Sequence, residues 1–274
     1  MSELVGDSNA GSVVGAGTSG GRGGNQGGTK VALVTGGGRG IGRACALDLA
    51  AKGFDIALVD LIQEDLTRTA GEIEALGCKV LTFIADVSDH LRARDIVAEI
   101  AKAWGGVDVL FNNAGRPMPK GILEISEEEF DQSIAINLKG AFNYIQPVVP
   151  LMQARGGGRI INMSSMNAHT GGVTSAVSKF AYTSAKAGIL GMTRALAKEL
   201  GPTITVNAIC PGVIKTERSN AMIDAREAQL AAGIVLKRVG TPADVAQVVT
   251  FLATSEPNFL TGQDISIDGM QWVR

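Results

Sequence analysis

The 274 residues carry 45% hydrophobic and 19% charged side chains, a balance suited to a globular chain with a sizeable core. A formal net charge of −2 offers no basic field for a phosphate backbone, so no nucleic-acid partner is expected. Neither a basic leader ahead of an apolar run nor about 18 uninterrupted apolar residues occurs, so no signal peptide and no membrane span are expected.

Residues 1–29 are dominated by Gly, Ser, Asn and Thr without apolar periodicity, which predicts a flexible tail. Gly15-Ala16-Gly17-Thr18-Ser19-Gly20 satisfies GxGxxG, yet only Val13 and Val14 precede it. That motif has meaning between a strand and a helix, so here it reads as low complexity.

From Lys30 onward short apolar runs alternate with helical periodicity, the pattern of βαβ units. Strands are predicted at 30–35, 54–60, 79–85, 107–111, 159–163, 203–209 and 264–267, most of them apolar throughout, as strands covered on both faces must be. Gly53 and Gly77 stand where helix C-terminal caps belong. Ser126 with Glu129 forms a capping box ahead of a long helix, and Thr241-Pro242 marks another helix start. The expected architecture is a doubly wound α/β Rossmann fold: one domain over 30–274, a seven-stranded parallel sheet with helices on both faces.

The first strand runs into Thr35-Gly36-Gly37-Gly38-Arg39-Gly40-Ile41-Gly42, which opens a helix. A dinucleotide pyrophosphate needs a tight turn, close backbone approach and N–H groups at a helix N-terminus. Gly36 supplies the turn, Gly40 the approach and Gly42 the room for helix–strand packing. The second strand ends at Asp60, whose carboxylate suits ribose hydroxyls and repels a 2′-phosphate. Arg39 is the contrary signal, a cation able to reach such a phosphate. NAD is therefore expected over NADP.

Tyr182 and Lys186, at spacing i, i+4, share one helical face. An ammonium close to a phenol favours the phenolate and lowers its pKa from about 10. Such a tyrosine can give or take an alcohol proton near neutral pH.

Cys45, Cys78 and Cys210 are scattered and form no CxxC pair, which reads as reduced thiols of a cytoplasmic protein and neither a disulfide frame nor a zinc site. His90 and His169 have no metal-ligand spacing, so no metal is expected.

Thr35–Gly42, Asp86-Val87, Asn112-Asn113-Ala114-Gly115, Asn137, Ser164-Ser165, Tyr182 with Lys186, and Pro211-Gly212 with Thr216 fall in one order. This series resembles the short-chain dehydrogenase/reductase family, its single-domain TGxxxGxG/YxxxK branch, from Lys30 to the end. The resemblance implies Tyr182 as general acid/base, and Lys186 as the group that tunes it and holds the nicotinamide ribose. It implies that Ser165 bonds the substrate oxygen and that Asn137 anchors a water joining Lys186 to solvent. Asp86 and Val87 would contact adenine; Asn113, Ala114 and Gly115 would line the underside of the cofactor. After Pro211-Gly212, Ile214 and Thr216 would fix the carboxamide. It further implies a homotetramer or homodimer, assembled through helices near 130–155 and 176–200.

One departure stands out. Most family members place the serine 13 residues before the tyrosine, which here is His169, whereas Ser165 lies 17 before. Ser165 is preferred because it ends the fifth strand, with Ser164 expected on the other side of the pleat. Thr170, Thr174, Ser175 and Ser178 are the alternatives, and His169 is expected in a loop near the pocket. The substrate pocket should draw on 116–120, 166–180 and 217–236, with Met222, Ile223, Leu230 and Ile234 in a mobile lid. Arg116, Lys120, Lys215 and Arg218 could favour an anionic substrate, though solvated surface charges explain them as well.

These features point to an NAD(P)-dependent alcohol/ketone oxidoreductase, either a sugar, polyol or other secondary-alcohol dehydrogenase or an NADPH-dependent 3-oxoacyl-thioester reductase. Two readings of other classes are a catalytically silent NAD-binding regulator and an interaction protein working through its tail. Only the last predicts that deleting 1–29 abolishes function.

Overall fold

The computed structural model describes residues 28–172, 177–217 and 223–272. Most of the tail, its GxGxxG, Thr174, Ser175, Arg218 and Met222 lie outside the described residues.

The strands are β1 (Val31–Thr35), β2 (Asp55–Asp60), β3 (Val80–Ile84), β4 (Val109–Asn112), β5 (Gly158–Met163), β6 (Ile204–Pro211) and β7 (Asp264–Ile267). They form one seven-stranded parallel sheet in the order β3-β2-β1-β4-β5-β6-β7, the doubly wound Rossmann arrangement. The chain order reverses between β1 and β4, and the crevice at their carboxyl ends is where such sheets bind ligands.

Strand β1 shows why apolar runs were the right signal. Val31 and Leu33 pack into one core and Ala32 and Val34 into the other, all of them buried. Alternate side chains leave opposite faces of a strand, so a strand covered on both faces must be apolar at every position. Helices α1 (Gly40–Ala51), α2 (Gln63–Ala75) and, farther along, Pro242–Thr254 cover one face through Leu49, Ile73 and Val249. Helix α3 (His90–Trp104), Gly140–Ala154 and Phe180–Leu200 cover the other through Ile96, Tyr144 and Ile189. Edge strand β3 departs from the pattern, with Ile84 exposed.

The predicted punctuation is present. Gly53 and Gly77 follow α1 and α2 with φ of +83° each. The Ser126 hydroxyl accepts from the Glu129 N–H (3.2 Å) while the Glu129 carboxylate accepts from the Ser126 N–H (3.0 Å). Thr241 and Asp244 make a second capping box at Pro242–Thr254.

The long helix expected after Ser126 is not uniform. Helix α4 (Glu127–Ile134) passes through a π-helical turn, Ala135–Lys139, before α5 (Gly140–Ala154), and Asn137 sits in that turn. π-Turns recur at functional sites, because the widened turn releases backbone groups from the helical ladder. Further helices are α6 (Asn167–Thr170), α7 (Phe180–Leu200), α8 (Glu227–Ala232) and α9 (Pro242–Thr254). Among the described residues no helix is long and apolar enough to cross a membrane.

Candidate active site

The glycine turn is pressed against the segment after β4. Asn113 Nδ2 donates to the carbonyls of Thr35 (3.0 Å) and Gly36 (2.9 Å), and the Asn113 N–H reaches Thr35 Oγ1 (3.1 Å). Gly36 has φ +63°, and a Cβ there would lie 2.8 Å from Asn113 Nδ2. At Gly42 a Cβ would meet the Gly36 carbonyl oxygen at 1.9 Å. Helix α1 starts at Gly40 with no side-chain cap and no acidic residue in its first turn. Its N-terminal N–H groups are thus left for an anion, on a turn whose glycines Asn113 and the Gly36 carbonyl leave no room to replace. These residues fit a dinucleotide pyrophosphate.

A cavity of about 820 Å³ opens over this turn, near the upper end of ordinary ligand pockets. Gly36, Arg39 and Ile41 line it at the turn, and Asp60, Asp86 and Val87 line it at the ends of β2 and β3. Asp60 is held facing the turn, with Oδ2 accepting from Gly38 N–H (3.0 Å) and Oδ1 from Leu61 N–H (2.7 Å). Arg39 lies 3.6 Å from Asp65, which Arg68 also engages at 2.9 Å. Along the floor run Asn113, Ala114 and Gly115, and the far wall carries Pro211, Gly212, Ile214 and Thr216.

Ser165, Tyr182 and Lys186 line the same cavity. Ser165 Oγ accepts from the Asn167 N–H at 3.2 Å. Ser164, one residue back, also lines the cavity but is buried, its hydroxyl donating to the Lys186 carbonyl at 2.8 Å; β5 ends at Met163, so both serines lie just beyond the strand. Thr170 and Ser178 also reach the cavity.

Lys186 is 2% exposed; its Nζ lies 5.7 Å from the Tyr182 ring centroid and donates to the Met163 carbonyl at 2.8 Å. Burial lowers its pKa from 10.5 to about 8. Below pH 8 the ammonium is present in folded and unfolded chains alike, and its burial is a constant cost. Between 8 and 10.5 the unfolded chain binds more protons, so stability should rise with pH across that window. Urea midpoints from pH 7.5 to 10 should show this rise relative to Lys186→Met, in which it should be missing.

Some expected site residues stand back from the cavity. Gly40 and Gly42 do not line it and act through turn geometry. Asn137 is 2% exposed, with its amide spent on backbone: Nδ2 donates to the carbonyls of Arg116 (2.9 Å) and Ser133 (3.1 Å), and Oδ1 accepts from Arg116 N–H (3.0 Å). It also borders a second cavity of about 10 Å³ shared with Lys186 and Asn112, a space near the size of one water. Asn112 Oδ1 is buried without a hydrogen-bond partner among the described residues.

The three segments expected to form the substrate end do meet, contributing Arg116 and Pro117, Met166 and Asn167, and Ile223 and Leu230. Ile234 corrects the expectation for the lid: it is buried with Ile223 and Val239 in a small core of that region and does not line the cavity. Lys120 is paired with Glu129, and Lys215 with Asp224 and Glu227, so neither stands ready for an anion. His169 lies in α6 and not in a loop. Gln271 and Trp272 line the cavity and carry no motif. The general rule that segments beyond strand carboxyl ends border the crevice was the one signal for them.

Comparison with known proteins places the chain in a family. A family model described as "Enoyl-(Acyl carrier protein) reductase" matches residues 36–269. A 3-oxoacyl-[acyl-carrier-protein] reductase FabG of Thermotoga maritima is 40% identical over 242 residues, covering 88% of this chain and 96% of its own. The FabG of Staphylococcus epidermidis is 38% identical over 242 residues, covering 88% and 98%. The crystal structure of a short-chain type dehydrogenase/reductase from Mycobacterium marinum superposes with a TM-score of 0.83 at 32% identity, over 89% of this chain and 96% of that one. The chain belongs to the short-chain dehydrogenase/reductase family and is an NAD(P)-dependent oxidoreductase.

Proposed function

We propose that the protein interconverts a secondary alcohol and a ketone with NAD(H), using Tyr182 as acid/base, Lys186 as the cation that tunes it, and Ser165 as the group that orients the substrate oxygen. The observation that carries this reading is that Ser165 and Tyr182 line one cavity with the glycine turn, with the Lys186 ammonium buried beside the Tyr182 ring. A bound nicotinamide supplies or accepts the hydride. Tyr182 takes the alcohol proton, or returns one to the carbonyl oxygen. Ser165 Oγ already accepts from Asn167, which leaves its hydroxyl proton for the substrate oxygen. Asn137 holds the backbone at Arg116, and the small cavity it shares with Asn112 and Lys186 suits a water that passes protons onward.

Asp60 supports NAD(H), since its fixed carboxylate borders the cavity where a 2′-phosphate would bring like charge. Asp60→Ala should lower kcat/KM with NAD+ by at least about tenfold, the scale of losing a hydrogen bond to a charged group, and should narrow the preference over NADP+. Initial rates with both cofactors decide it, and an unchanged ratio would remove Asp60 from cofactor choice.

A second reading, an NADPH-dependent 3-oxoacyl-thioester reductase, is favoured by the names of the relatives and by Arg116 and Arg226 on the cavity wall. A panel of alcohols, ketones and 3-oxoacyl thioesters, assayed with NAD(H) and NADP(H) in parallel, separates the two. We further propose a cytoplasmic location, in keeping with three cysteines of which none forms a disulfide. A homodimer or homotetramer built through α4–α5 and α7 completes the proposal.

A further inference from the structure

Three residues far apart in sequence converge behind Trp272, which lines the cavity. In the parallel register Ala208 faces Asp264 and Cys210 faces Ser266, so Cys210 and Asp264 project from the same face of β6 and β7. Helix α6 carries His169 over that face. His169 Nε2 lies 2.9 Å from Asp264 Oδ2 and 3.7 Å from Cys210 Sγ, and the three donor atoms fall within 4.8 Å of one another. The Cys210 side chain is buried, and those of His169 and Asp264 are 13% and 12% exposed.

We propose that His169, Cys210 and Asp264 form a binding site for a divalent metal ion of the zinc class. A thiolate, an imidazole and a carboxylate are the donor types such a borderline-soft ion takes. With bonds of about 2.0 to 2.3 Å, tetrahedral donors stand roughly 3.3 to 3.6 Å apart. The triangle here needs side-chain adjustments of less than about 1.5 Å to meet that spacing, from the distances above. Arg194 engages Asp264 through Oδ1 at 3.2 Å, which orients the carboxylate and leaves Oδ2 toward the site. The two anionic ligands neutralise the ion, and the thiol proton passes to solvent on binding.

The consequence is mechanical. The site would tie together α6, which follows Ser165; Cys210, which immediately precedes Pro211-Gly212; and β7, which leads to Trp272. The Trp272 indole stacks on the His169 ring, with centroids 5.5 Å apart and planes at 12°, and it lines the cavity. A bound ion would therefore fix the wall against which substrate rests, outside the path of the hydride.

The test uses the full chain, treated with a chelator and titrated with Co2+ and then Zn2+. A thiolate-to-cobalt charge-transfer band should grow to one Co2+ per chain and be displaced by Zn2+. In a Trp104→Phe background the emission of Trp272 should be quenched over the same titration. Cys210→Ser should abolish the band. Asp264→Asn, which keeps size and a hydrogen-bond acceptor for His169, should weaken Zn2+ binding by about 10- to 100-fold, the usual cost of disturbing a metal site, with the metal-free unfolding temperature unchanged. Should Cys210→Ser fail to fold, Asp264→Asn decides alone. Absence of the band in the parent chain, or a Zn2+ affinity equal in parent and Asp264→Asn, overturns the proposal.

Discussion

Replacing Tyr182 by Phe should lower kcat/KM by about 10³-fold, within the 10²–10⁴ range that a positioned acid/base contributes, while NAD(H) affinity changes by no more than about threefold. The phenyl ring fills the place of the Tyr182 ring on the cavity wall and lacks the hydroxyl proposed to move the proton. The split between turnover and binding is the informative part. A catalytically silent NAD-binding regulator would bind as before and have no turnover to lose, so a parent chain inactive on every alcohol and ketone tried, with intact cofactor binding, would favour that reading. A loss of cofactor binding in Tyr182→Phe would instead make Tyr182 a structural residue.

The second large effect is expected at Gly42. An added Cβ would sit 1.9 Å from the Gly36 carbonyl oxygen and 2.6 Å from Asn113 Nδ2, and neither can retreat, because Asn113 is already bonded to Thr35 and Gly36. Overpacking of this kind costs about 1–3 kcal/mol, which in a domain of this size lowers the unfolding temperature by several degrees. The helix N-terminus must shift to relieve the clash, so NAD(H) affinity should fall at least about tenfold. Gly71→Ala, in α2, is the control: its Cβ would meet nothing within 4 Å. Calorimetric titration and thermal unfolding read both effects, and an unchanged affinity in Gly42→Ala would show that the turn is not the phosphate cradle.

Much of this architecture was legible because its physics is local. Strands buried on two faces are apolar at every position, and Gly53, Gly77, Ser126 and Thr241 punctuate helices through their own backbone or side-chain chemistry. The turn at Gly36–Gly42 was readable for the same reason: steric exclusion leaves glycine as the residue that fits. What sequence did not show depends on long-range convergence. The π-turn holds Asn137, whose amide binds the Arg116 backbone 21 residues away, a contact no local pattern announces. The pairing of Lys215 with Asp224 and Glu227, which decides between an anion contact and a surface charge, appears only once those side chains meet. Ile234 had the right polarity for a lid but packs on Ile223 and Val239. Trp272 reaches the cavity by topology alone, and the grouping of residues 169, 210 and 264 has no spacing to announce it.

The chain has only two tyrosines, and burial pushes the Tyr144 phenol far above the usual range. An ultraviolet titration of tyrosinate therefore isolates Tyr182. With NAD+ present, the account predicts one phenol ionising well below about 10, the ordinary tyrosine value; the signal should vanish in Tyr182→Phe and move upward in Lys186→Met. A phenol that ionises at about 10 or above in the parent chain, or that is indifferent to Lys186, would contradict it.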